Sequence, residues 1–147
     1  MALFDEWVQK GHDFIHDVMV ELGIDDEHRA FRITKAVLHA LRDRLDPREG
    51  KDFSAQLPMV LKAVWCEGWD PTRGPDKSVK KREEFLQKVM NDPGLVRGRD
   101  ITNPDEAERF VRGVFKVIKK HVTWGEVEDV IRQLPEEIRE LWGEHGP

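Results

Sequence analysis

Residues 30–67 read AFRITKAVLHALRDRLDPREGKDFSAQLPMVLKAVWCE, and residues 107–144 read AERFVRGVFKVIKKHVTWGEVEDVIRQLPEEIRELWGE. Aligned without a gap at a constant offset of 77, they share Ala30/Ala107, Arg32/Arg109, Val37/Val114, Glu49/Glu126, Asp52/Asp129, Gln56/Gln133, Leu57/Leu134, Pro58/Pro135, Trp65/Trp142 and Glu67/Glu144. Where the residue changes, apolar character persists: Ile33/Phe110, Leu41/Ile118, Leu45/Val122, Phe53/Val130, Leu61/Ile138 and Val64/Leu141. What the two stretches keep is a pattern of core positions, so the chain reads as one structural unit written twice. Upstream, Phe14-Ile15 and Val18-Met19 match Phe85-Leu86 and Val89-Met90 at an offset of 71, which gives the second unit six extra residues before Ala107.

The period of the apolar residues is helical throughout. Phe4, Val8, Ile15, Val18, Met19 and Leu22 predict an amphipathic helix from about Ala2 to Gly23, where glycine stops it. Ile33, Val37, Leu41 and Leu45 recur every four residues, with Ala30, Ala36 and Ala40 leaving room for a neighbouring helix. Asp46 with Glu49, and Thr123 with Glu126, spell a capping box at the start of the third helix of each unit, and Pro47 fits its first turn. Pro58 and Pro135 cut an apolar series that otherwise continues. A proline inside a helix costs about 3 kcal/mol, so each marks a kink or the start of a new helix. Pro71 to Pro75 reads as a linker, and Asn91 to Pro104 as an irregular loop. No segment alternates in the manner of a strand. The expected fold is all-α: two tandem homologous units of about four helices each, 1–72 and 78–147, packed as one pseudo-two-fold helical bundle.

Composition narrows the function classes. A net charge of −5 with 36% charged residues gives no overall attraction to nucleic acid or an anionic membrane. The lone Cys66 rules out an internal disulfide and fits a reducing, cytoplasmic setting. No run approaches the roughly 18 apolar residues of a membrane span, and the start Met-Ala-Leu-Phe-Asp-Glu-Trp is acidic where a signal peptide would be basic.

The stretch Lys35-Ala36-Val37-Leu38-His39-Ala40-Leu41-Arg42-Asp43-Arg44-Leu45, with Ala55-Gln56-Leu57-Pro58-Met59 and Glu67-Gly68-Trp69-Asp70-Pro71, resembles a bacterial family filed as domain of unknown function 2267. The second unit keeps Gln133-Leu134-Pro135 and Leu141-Trp142 without the Gly-Trp-Asp-Pro ending. The resemblance implies a soluble, cytoplasmic, bacterial helical protein, and it carries over no catalytic residues.

Candidate chemistry is sparse. His12 and His16, four apart on one side of a helix, have the spacing of a helical zinc pair but no evident third ligand, so they are weak metal candidates. Cys66 stands beside Glu67, which disfavours a thiolate. Neither a nucleophile elbow nor a phosphate loop occurs. Glu49, Asp52, Glu126 and Asp129 are accounted for by caps and by the helix dipole, and Gln56 and Gln133 by backbone groups freed at the helix breaks. Trp65 and Trp142 read as core. Trp69, at a helix end beside Asp70 and without a tryptophan counterpart, is either a packing lid or an anchor for a partner; with Asp70 and Glu67 it forms the interaction candidate.

Three functions follow. The first is a non-enzymatic interaction or stress-associated protein binding a protein or small ligand, with no cofactor and with homodimerisation open. The second is nucleic-acid binding through the short helices and the basic Arg73, Lys77, Lys80, Lys81, Arg82 stretch, against which stand Glu136 and Glu137. The third is a metal-dependent enzyme using His12 and His16.

Overall fold

The computed structural model describes residues 2–143, and among these the regular structure is entirely helical. Helix α1 spans Asp5–Leu22 and stops at Gly23, whose left-handed φ of 69° is open to glycine without strain. Helix α2 (Glu27–Arg42) starts at Asp26, whose carboxylate accepts from the Arg29 amide. Helix α3 spans Pro47–Ser54, with Pro47 in the first turn. The predicted break at Pro58 is a fresh start: Pro58 is the N-cap of α4, Met59–Cys66. Helix α5 (Arg82–Met90) opens with the Lys80 and Lys81 amides donating to Glu84 Oε1. Helix α6 spans Pro104–His121, capped by Asn103, and α7 spans Trp124–Gln133, capped by Thr123. Pro135 then starts the four-residue α8, Glu136–Arg139, which runs into a 3-10 turn at Glu140–Trp142.

These helices share one continuous cluster of buried apolar side chains drawn from both halves of the chain. Helix α1 packs most extensively on α6, while α5 packs on both α6 and α2. At the α1–α6 contact, Leu22 lies over the bare backbone of Gly113, where an added Cβ would stand 2.3 Å from Leu22 Cδ2. The expected core tryptophans are there: Trp65 tilts against Phe53 (centroids 5.1 Å apart) and Trp142 stacks on Phe115 at 4.0 Å.

One expectation is overturned. In a capping box the glutamate at the third helical position returns to the N-cap amide. Here the Asp46 amide donates instead to Gln133 Oε1, and the Thr123 amide to Gln56 Oε1, at 2.9 Å each. The glutamines thus serve helix starts distant in sequence rather than the breaks beside them, and Glu49 and Glu126 are left for another use. Glu144, paired with Glu67 in the sequence comparison, lies outside the described residues.

Candidate functional site

A concavity of about 1190 Å³ runs between the C-terminal half of α2, the segment after α4, and α5 with the turn that follows it. A second hollow of about 560 Å³ shares Arg42, Asp43, Gly68 and Lys88 with the first and continues it to Trp69, Asp70 and Arg73. The three interaction candidates therefore line a single groove: Glu67 in its wider part, Trp69 and Asp70 at its narrower end.

Helix ends and the chain between the units build the walls. Arg42, on the last turn of α2, is buried and donates through Nη1 to the carbonyls of Trp65 (2.9 Å) and Glu67 (2.8 Å), satisfying groups exposed at the end of α4. His39 Nε2 meets the Val64 carbonyl at 2.7 Å. Gly68, at φ 68°, turns the chain so that Trp69 folds back, half-buried, over Gly50 of α3; a Cβ at Gly50 would lie 3.5 Å from the Trp65 and Trp69 rings. Trp69 is thus part packing element and part groove wall.

Ion pairs line the groove in alternating sign. Lys88 Nζ bridges Asp43 (3.1 Å) and Asp76 (3.3 Å), and Lys35 Nζ reaches Glu67 Oε1 at 2.9 Å. The Lys35 hydrogen bond holds the Glu67 carboxyl below its usual range. Asp70 is lowered by the Thr72 hydroxyl (2.5 Å) and amide (3.0 Å), and Asp76 chiefly by the Ser78 hydroxyl. These groups are fixed as charges, suited to exchanging partners with a polar ligand and ill suited to moving protons near neutrality.

The other candidates lie elsewhere. His12 Nδ1 stands 3.2 Å from Glu27 Oε1 on an exposed surface, at the rim of an apolar hollow of about 300 Å³ that includes Val8, Phe31 and Val60; His16 is exposed further along α1. Among the described residues, the ligand-type side chains close enough to share one ion are Glu49, Glu126 and Asp129, not the histidines. Cys66 is exposed. In the basic stretch, Arg82 is committed to Glu140 (2.6 Å) and Glu108 (3.5 Å), and Arg73 lies 3.8 Å from Asp70. After the second break α8 has only four residues and exposes Glu136 and Glu137, a poor element for entering a groove of nucleic acid.

Two contacts come from the tertiary structure alone. Asp100, 2% exposed, receives Arg32 through Nε (2.7 Å) and Nη2 (2.9 Å) and the Val96 amide (2.7 Å), while its carbonyl accepts from Arg29. Burial opposes its charge, yet these donors hold the carboxyl below its usual range. The second is a cluster of carboxylates where α3 meets α7: oxygens of Glu49, Glu126 and Asp129 lie within 4.8 Å of one another.

The fold and groove define a small all-helical protein with an ion-paired polar cleft edged by tryptophan. The model of the family described as "Uncharacterized conserved protein (DUF2267)" matches residues 11–141, and the chain belongs to that family. Comparison with curated proteins gives no match. Among the described residues no helix is long and apolar enough to cross a membrane.

Proposed function

We propose that the protein is a non-catalytic binding module, acting in the cytoplasm, whose α2–α5 groove takes a polar protein segment or small ligand against Trp69. The carrying observation is the convergence of Glu67, Trp69 and Asp70 on one continuous groove whose wall charges are arranged in exchangeable pairs. An aromatic edge beside satisfied but accessible charges suits recognition. The serine hydroxyls point the same way: Ser54 donates to the Lys51 carbonyl and Ser78 to Asp76, so neither is engaged with a histidine base.

The groove lies where two units, 1–72 and 78–147, would join in a bundle related by a pseudo-two-fold axis. In support, Gln56 bonds Thr123 and Gln133 bonds Asp46, an exchange between positions equivalent at the offset of 77.

The test is affinity capture from lysate with the wild type, Trp69→Ala and Glu67→Lys, the last at an exposed position, followed by mass spectrometry of retained proteins and small molecules. A species retained by the wild type and lost from both variants is the expected result. Equal retention by all three, or turnover of a substrate abolished by a groove substitution, would overturn the reading.

A further inference from the structure

Helix α1 carries one apolar stripe along its length, and the body of the protein covers only part of it. Gly11, Phe14, Ile15, Val18 and Leu22 are buried, with α2, α4 and α6 packed on the helix. At about 100° per residue, Phe4, Trp7 and Val8 continue the same face, yet they stand 54, 46 and 47% exposed, with Leu3 beside them at 86%. The Phe4 and Trp7 rings are in contact, centroids 5.2 Å apart, and form one projecting aromatic knob. Next along this face is the apolar hollow of about 300 Å³, lined by Gly11, Ile15, Phe31, Val60 and Leu61 among others. A Cβ at Gly11 would stand 3.2 Å from Val60 Cβ, so the missing side chain lets α4 come close to α1 there. A cavity of about 150 Å³ already accepts a benzene ring, so the hollow has room for an aromatic side chain.

We propose that this face is the contact between two copies of the chain, paired about a two-fold axis so that the Phe4–Trp7 knob of each enters the hollow of the other. A surface bearing a knob and a hole side by side is self-complementary, which is what an isologous contact requires. The area agrees: Leu3, Phe4, Trp7, Val8 and Val60 together expose on the order of 500 Å² per protomer, so a symmetric pair reaches the roughly 1,000 Å² of a specific interface. The rim is polar and mixed in sign, with Lys10 paired to Glu6 at 3.1 Å and His12 standing 3.2 Å from Glu27. A second copy therefore meets charges of both signs there, with which it can exchange partners. A membrane surface fits less well, because the polar side of α1 carries Asp5, Glu6, Asp13 and Asp17 against the single Lys10, where an interfacial helix is rich in basic residues. The contact stands independently of the groove reading, since the hollow and the groove share no lining residue.

The experiment is sedimentation velocity over a wide concentration range on the wild type, Leu3→Glu, Trp7→Ala, Val60→Glu and, as a control, Val20→Glu, which changes an exposed valine on the opposite face of α1. Circular dichroism checks that each variant keeps its helices; Leu3 and Val20, the most exposed of the four sites, carry little risk to the fold. The wild type and Val20→Glu are expected to dimerise alike, and the other three about tenfold more weakly or worse, the effect of truncating a central interface residue. The decisive arm mixes Trp7→Ala with Val60→Glu: the mixed pair keeps one intact knob facing one intact hole, so it should associate more tightly than either variant alone. A wild type that stays monomeric throughout, association that Leu3→Glu and Trp7→Ala leave unchanged, a mixture no tighter than its components, or a monomer that binds phosphatidylcholine–phosphatidylglycerol vesicles through Trp7 would each overturn the contact.

Discussion

At equivalent positions of residues 30–67 and 107–144 the chain makes some bonds in duplicate and others only once. Gln56 and Gln133 do the same thing, each accepting from the N-cap amide of a helix in the other stretch at 2.9 Å. Arg32 and Arg109 diverge. Arg32 grips the carboxylate of the buried Asp100, in the long α5–α6 loop, whereas Arg109 donates to the Leu22 carbonyl at the end of α1 and lies over the Phe110 ring. Arg32 reaches into the connection 91–103 ahead of α6, whereas Arg109 meets the last residue of α1, just before the short connection 23–26 ahead of α2. Paired apolar positions of the two stretches are buried alike, and the longer α5–α6 loop supplies the Asp100 contact.

The largest effect that could break this comparison is at the tryptophans. Trp65→Ala and Trp142→Ala should each cost about 3–5 kcal/mol, measured by denaturant unfolding, because each empties a fully packed site. A cost below about 1 kcal/mol for either would remove the equivalence of the two sites.

Next come the arginines, where the prediction is asymmetry. Arg32→Ala strands the buried Asp100 charge and should cost about 3 kcal/mol, at the low end for a broken buried pair because Arg32 is 29% exposed. Arg109→Ala loses a hydrogen bond to a carbonyl and a ring contact, for about 1–2 kcal/mol. The pair also carries a pH signature. Asp100 is depressed in the folded state, so its contribution is present above the unfolded value of 3.8 and vanishes as pH falls through the lower folded value. Acid titration of stability should show that loss in the wild type and lack it in Asp100→Asn; equal acid sensitivity in the two would refute the assignment.

The smallest and most symmetrical effect belongs to the glutamines. Gln56→Ala and Gln133→Ala each remove one exposed hydrogen bond and should each cost about 0.5–1 kcal/mol. The sharper observation is structural: either change frees an N-cap amide, to which Glu49 or Glu126 can return and complete a capping box, so the carboxyl that burial raises should move down. An unchanged titration in both variants would show that the glutamines do not hold the glutamates in place.

Much of the fold was legible because its signals are local. Helical spacing of apolar residues, Gly23 as a stop and proline at helix starts act within a turn or two of chain, and the structure places helices where they indicate. The capping boxes were misread for the same reason. The spacing of Asp46 and Glu49 is right for a box, but a competing acceptor 87 positions away cannot be seen in a local pattern. At the groove, Glu67, Trp69 and Asp70 could be singled out because they adjoin one another in sequence, whereas Lys35, Asp43, Asp76 and Lys88, which face them, had nothing to mark them out.

The sequence by itself determined the helical class, the helix starts at Pro47, Pro58 and Pro135, the stop at Gly23 and the recurrence of apolar positions at an offset of 77, since period and proline chemistry act over a few residues. Tertiary structure alone decided that Arg32 reaches Asp100 across 68 positions, that the glutamines trade N-cap amides, and that two glutamates end up facing each other. Those outcomes depend on which helix surfaces meet, and that is fixed by packing the whole core at once.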